Sequence, residues 1–224
     1  MRPSPFVLWN LFLAIVPVGL AFLIACGVRR DRLNGGAVRW ILWVPLAAVW
    51  LLFLPNSCYL LTEWRHYLDT LTGGPLYAQA LKGGDARFDF FVITGFYFFY
   101  SGAGLVAFFL AVWPLDRLTR PRLGRLGSLL RPLIFPLCGL GVYLGLMRGR
   151  FNSWDLVNIH RLTELLATAS QVFQRPHLLF LILVFGAALW LLYILFDIWM
   201  DGLTWRLSRR HHHLREKDPS HAAS

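Results

Sequence analysis

Charge is scarce in this sequence. Asp, Glu, Lys and Arg together make up 15% of 224 residues, where a soluble domain carries about a quarter. That shortage excludes a surface built mainly for water. Cysteine is nearly absent too: Cys26, Cys58 and Cys138 lie far apart, with no C-x-x-C or Cys/His cluster beside them. No disulfide framework, thiolate metal site or cofactor is expected. Catalytic fingerprints are also missing, with no G-x-S-x-G, H-E-x-x-H, phosphate-binding loop or dinucleotide motif, so no reaction class is indicated. Acidic residues are outnumbered by basic ones, 12 to 22, for a formal net charge of +10. In a soluble protein that excess would suggest nucleic acid. Here the arginines sit in short segments between long apolar runs, which points to orientation in a lipid bilayer and to no nucleic-acid partner.

The abundant material is apolar. Hydrophobic residues make up 57% of the chain and aromatics 16%, and the mean hydropathy is +0.53. A hydrocarbon core of about 30 Å needs about 20 apolar residues as helix, because every backbone N–H and C=O must be satisfied within the segment. Five stretches meet that demand: Phe6 to Cys26, Val38 to about Leu61 with Pro55 inside it, Phe88 to Trp113, Leu129 to Met147, and Leu178 to Met200. Between the last two, Val157 to Arg175 sets Ile159, Leu162, Leu165, Leu166, Ala169 and Phe173 at helical spacing, with Arg161, Glu164 and Gln171 between them. That pattern reads as a short amphipathic helix at the interface. The expected fold is therefore all-α: a single integral membrane bundle over residues 1–207, with five transmembrane helices and one interfacial helix. Residues 208–224 form a basic tail expected to lack structure, and its His211–His213 run is assigned no metal.

Basic residues near the span ends set the expected orientation. Those of Val28–Arg39, of Arg117–Arg131 and of the tail fall on one side, fourteen of the 22; the other eight fall opposite. This places the N-terminus outside and the C-terminus in the cytoplasm. The run Leu23-Ile24-Ala25-Cys26 with Gly27 offers a lipoprotein-signal reading, but a cleaved signal has a basic start and an apolar core of about 7 to 15 residues. This run is longer and its basic cluster follows it.

Small residues recur at steps of four, as Gly141, Gly145 and Gly149 and as Ala103, Ala107 and Ala111, a pattern that lets helices approach closely. Asp197 and Asp201, one turn apart near the inner end of the last span, are expected to snorkel or to pair with Arg206. The polar residues that invite a functional reading are elsewhere. Pro55 cannot donate to the carbonyl of Leu51, so a kink is expected there, and Asn56 beside it needs a partner at that depth. If the helix continues, Asn56, Tyr59, Glu63 and His66 share one face. A second group, Arg87-Phe88-Asp89-Phe90, opens the third span, and a third, Arg148 to Asp155, closes the fourth. The end of span two, the start of span three and the end of span four must lie on one side of the bilayer. Asn56, Tyr59, Glu63, His66, Asp89, Arg150, Asn152, Trp154 and Asp155 are therefore expected to line one outward-facing cleft.

These residues also carry a resemblance. Phe53-Leu54-Pro55-Asn56-x-x-Tyr59-x-x-Thr62-Glu63, followed by Arg150-Phe151-Asn152-Ser153-Trp154-Asp155, resembles an uncharacterised family of bacterial multi-pass membrane proteins known as a domain of unknown function. Its pattern is F-L-P-N-x-x-Y-x-x-T-D, then R-[WF]-N-S-W-D. The likeness runs from about Trp40 to Trp199, and Glu63 stands where the family usually shows Asp. It implies a multi-pass protein of the bacterial cytoplasmic (inner) membrane and supplies no activity. Three functions remain open. One is a small membrane subunit or binding module holding a polar ligand, a lipid headgroup or a membrane protein partner. Another is an envelope enzyme acting on a lipid or glycan, with Glu63, Asp89 and Asp155 as acid–base candidates, His66 as proton carrier and Arg150 stabilising an anion. The third is a transporter component, which the odd span count and missing inverted repeat disfavour.

Overall fold

Long apolar runs satisfy their backbone polar groups only by closing hydrogen bonds within the segment, and the chain does so as helix. The computed structural model describes residues 5–33, 40–73, 76–146 and 159–216. Among these the elements are α1 (Pro5–Leu33), α2 (Trp40–Thr62), α3 (Trp64–Gly73), α4 (Leu76–Lys82), α5 (Asp85–Leu130), a 3-10 turn (Arg131–Leu133), α6 (Ile134–Leu146), α7 (Ile159–Gln174) and α8 (Pro176–Glu216).

Four segments are long and apolar enough to cross a membrane: Val7–Arg30, Ile41–Gly73, Asp85–Pro121 and Pro176–Arg209. They coincide with four of the five expected spans. The fifth, Leu129 to Met147, takes a different form. Among its described residues, Leu129 and Leu130 close α5 and the 13 residues of α6 follow from Ile134 to Leu146, about 20 Å at 1.5 Å per residue against a 30 Å core. Pro132 and Pro136 lack the N–H that a continuing helix needs, and the chain enters α6 through a 3-10 turn instead. Upstream, Gly124 at φ 47°, ψ −127° breaks the long run of α5, a conformation that suits glycine. At the other end of the chain, α8 stays helical to Glu216, past the expected bundle boundary at residue 207.

Helix pairing follows from contacts at small residues. Ala14 lies opposite Ser57 and Gly27 opposite Trp43, so α1 and α2 are antiparallel. Gly104 lies against Ser57 and Leu60, and Trp50 Nε1 donates to the Ala111 carbonyl at 3.1 Å, so α2 and α5 are antiparallel too. Gly141 faces Pro55, and the buried Cys58 and Cys138 thiols are hydrogen-bond neighbours across the α2–α6 contact. Gly139 packs on Ile182, and Gly186 on Pro136. The start of α1, the end of α2, the start of α5, the end of α6 and the start of α8 thus share one end of the bundle. Leu54, Cys58, Phe108, Phe135, Leu189 and Tyr193 form the core. Outside it, Ile41, Phe88, Phe91, Phe99, Leu181 and Ile198 are exposed. A bundle apolar on its outside as well as its inside is solvated by lipid.

The opposite end carries charge. The Asp116 carboxylate is 2% exposed and meets Arg120 at 2.7 Å and Arg131 at 2.7 Å, while the Tyr193 hydroxyl donates to it at 2.8 Å. Asp197 meets Arg117 at 3.0 Å and Arg120 at 2.7 Å, and Asp201 pairs with Arg117. The expected pairing of Asp197 and Asp201 with Arg206 is therefore corrected. Their partners come from α5, which the bundle sets beside the same end of α8.

Candidate functional site: a cleft at the end of the second helix

The helix of α2 runs unbroken through Pro55 and stops one turn after Tyr59. The Thr62 hydroxyl takes the Tyr59 carbonyl at 2.7 Å. The Glu63 carbonyl accepts the amides of His66 at 2.9 Å and Tyr67 at 3.3 Å, starting α3. Glu63 is thus the joint between two helices. α3 is fixed by Tyr67, which is buried. The Thr94 hydroxyl donates to the Phe90 carbonyl at 2.7 Å, leaving its oxygen to accept from the Tyr67 hydroxyl at 2.8 Å.

Because the helical phase survives the joint, Asn56, Tyr59, Glu63 and His66 all line one cleft of about 1040 Å³. Its walls come from α1 (Trp9, Asn10), α2, α3 (Asp69, Thr70), α5 (Phe96, Tyr97, Tyr100), α6 (Leu137 to Gly145) and α7 (Leu165). Its lining mixes polar side chains with aliphatic and aromatic ones. His66 Nε2 stands 4.0 Å from Glu63 Oε2, with the two side chains 52% and 17% exposed. The Tyr100 hydroxyl, in a residue only 5% exposed, lies beside the Asn10 side chain yet makes no hydrogen bond of ordinary geometry.

The structure therefore brings together four of the nine expected cleft residues. Asp89 is exposed on α5 and is not among the residues lining the cleft. Arg150, Asn152, Trp154 and Asp155 lie outside the described residues. Sequence reasoning missed Asn10, Asp69, Thr70, Tyr97 and Tyr100. Asn10 carried a usable signal, since an amide inside an apolar run is costly without a role. Asp69 and Thr70 did not, because the shared helix face was followed no further than His66. Among the described residues no three His, Cys, Asp or Glu side chains are grouped to hold a metal ion.

The fold and the apolar exterior define a membrane-embedded protein, helical throughout its described residues, with a cleft of mixed polar and apolar lining between its helices. The chain belongs to the family described as protein of unknown function (DUF1361), whose model matches residues 9–192. No curated protein and no solved structure matches it.

Proposed function

We propose that this protein is a small membrane subunit or binding module whose cleft holds the polar part of a ligand. The observation that carries this reading is the continuity of Asn56, Tyr59, Glu63 and His66 along one wall of a single large cleft. Largely apolar pockets with a few convergent polar groups are the usual form of ligand sites. The proposal includes α6 as a fifth, shortened span and a cleft facing outward from the bacterial cytoplasmic membrane. Arg150, Asn152, Trp154 and Asp155 join it by the order of crossings alone.

Cysteines substituted at positions 56, 63, 66 and 155 are expected to react with an impermeant thiol reagent added outside intact cells. Reaction at position 56 from one side and at position 155 from the other would end the proposal. Glu63→Gln and His66→Ala are expected to reduce what co-purifies with the protein; unchanged partners and lipids would count against a binding role.

A second reading, an envelope enzyme acting on a lipid or glycan, draws support from the Glu63–His66 pair, close enough for one proton to pass through a small rearrangement or a water. Full complementation of a deletion phenotype by both variants would exclude it.

A further inference from the structure

Two of the three cysteines, 80 residues apart in the chain, meet in the bundle. Pro55 and Cys58 lie one turn apart on one face of α2, and Cys138 and Gly141 lie one turn apart on one face of α6. The two pairs meet where the helices come together: Pro55 packs on Gly141, and the Cys58 and Cys138 thiols are hydrogen-bond neighbours. Gly141 allows this approach, since a Cβ there would stand 2.5 Å from Pro55 Cγ. Both thiols are free, and their residues are 0% and 1% exposed. Two cysteines join without backbone movement only where they already face each other at short range. Adjoining thiols on two packed helices meet that condition.

Their surroundings select the reagent. Leu54, Phe108, Phe135, Val142 and Leu189 belong to the same apolar cluster, a setting that disfavours charge. A buried thiol is inert toward reagents that stay in bulk water, so an oxidant must be small and uncharged. Cys138 lines the cleft, as do Pro55 and Gly141. It is the sulfur such an oxidant meets, with Cys58 beside it to complete the reaction.

We propose that Cys58 and Cys138 are a redox pair, oxidised by a hydroperoxide to a disulfide that pins α6 to α2 along the cleft wall. Cys138 Sγ attacks a peroxide oxygen; the O–O bond breaks, an alcohol or water leaves with the thiol proton, and a sulfenic acid forms. Cys58 Sγ then attacks that sulfur; the S–O bond breaks, the S–S bond forms, and water leaves with the second thiol proton. The two electrons lost by the sulfurs reduce the peroxide. This inference holds whether or not the cleft binds a ligand.

The test uses the full-length protein in nanodiscs with Cys26→Ser, because Cys26 is exposed and would compete. One sample receives hydrogen peroxide, which enters from water, and another cumene hydroperoxide, which enters from lipid. Mass spectrometry without reduction is expected to show a peptide pair joined through Cys58 and Cys138, two hydrogens lighter than its parts. Both free thiols should be lost together and return on adding a membrane-permeant phosphine. The faster reagent identifies the route of entry. With Cys58→Ser added, Cys138 is expected to stop at a sulfenic acid that dimedone traps; with Cys138→Ser instead, the Cys58 thiol is expected to stay intact. The bridged protein should unfold at a Tm higher by roughly 5–10 °C, because the bond closes a long loop, with no rise in either single variant. Both thiols recovered free after both reagents, or oxidised separately to sulfinic acids without a bridge, overturns the redox pair. A bridge that leaves Tm unchanged overturns the pinning of α6. Equal dimedone capture at Cys58 and at Cys138 in the two single variants overturns the order of attack.

Discussion

The two ends of this bundle handle polarity in opposite ways. At one end three aspartates and three arginines from α5, the 3-10 turn and α8 are matched to one another, and the buried Asp116 carboxylate is held by Arg120, Arg131 and Tyr193. At the other, among the described residues, the His66 imidazole stands 4.0 Å from the Glu63 carboxylate, and the buried Tyr100 hydroxyl has no hydrogen bond of ordinary geometry. Paired charges fasten helices together, while the buried N–H groups of Arg117, Arg120 and Trp113 at the charged end lack hydrogen-bond partners among the described residues, so the contrast between the ends lies in ion pairing and not in saturation.

The largest effect expected from breaking that contrast is at Asp116. Replacing it with Ala leaves Arg120, Arg131 and Tyr193 without their shared acceptor, and removing one partner of a buried ion pair costs about 3–5 kcal/mol. Thermal unfolding in detergent should show this as a large fall in Tm. Next comes Gly186→Ala, whose added Cβ would sit 2.7 Å from the Pro136 backbone nitrogen. Backbone cannot move aside as a flexible side chain can, and overpacking of this kind costs about 1–3 kcal/mol, read from the same unfolding curve. A smaller loss, about 0.5–1.5 kcal/mol, is expected for Ser57→Ala, which removes the 2.9 Å hydrogen bond to the Ala14 carbonyl. The smallest effect is expected at the cleft: Glu63→Gln should change stability by less than about 0.5 kcal/mol while altering what the protein binds. A destabilisation by Glu63→Gln as large as that of Asp116→Ala would erase the distinction between the two ends.

Much of this was legible in the sequence, because lipid imposes length and apolarity on anything that crosses it. The long helices and α7 lie where the apolar pattern put them, and the steps of three, four and three from Asn56 to His66 anticipated a shared wall. What escaped has physical reasons. α6 begins later than its apolar stretch, after a 3-10 turn at Arg131–Leu133, because Pro132 and Pro136 withhold donors that a hydropathy count does not see. α3 and α4 are too short and polar to stand out from a loop; Tyr67 anchors α3 through Thr94, a partner 27 residues away. The Asp197 pairings were misassigned because proximity along one helix was used, when the parity of crossings already brought the end of α5 to the end of α8. Asp89, placed by the same parity, lies at the expected end of the bundle, two turns before Phe96 on α5, and is not among the residues lining the cleft.

The charge cluster also sets an order of assembly. Asp116, Arg120 and Arg131 belong to one short stretch of chain and can meet as soon as that stretch has left the ribosome, whereas Asp197 is 80 residues beyond its partner Arg117. A nascent chain therefore holds Arg117 without its acids until the last helix is made. Docking of α8 completes the neutralisation, and a transcript truncated before Tyr193 would yield a protein that inserts its first helices and never locks.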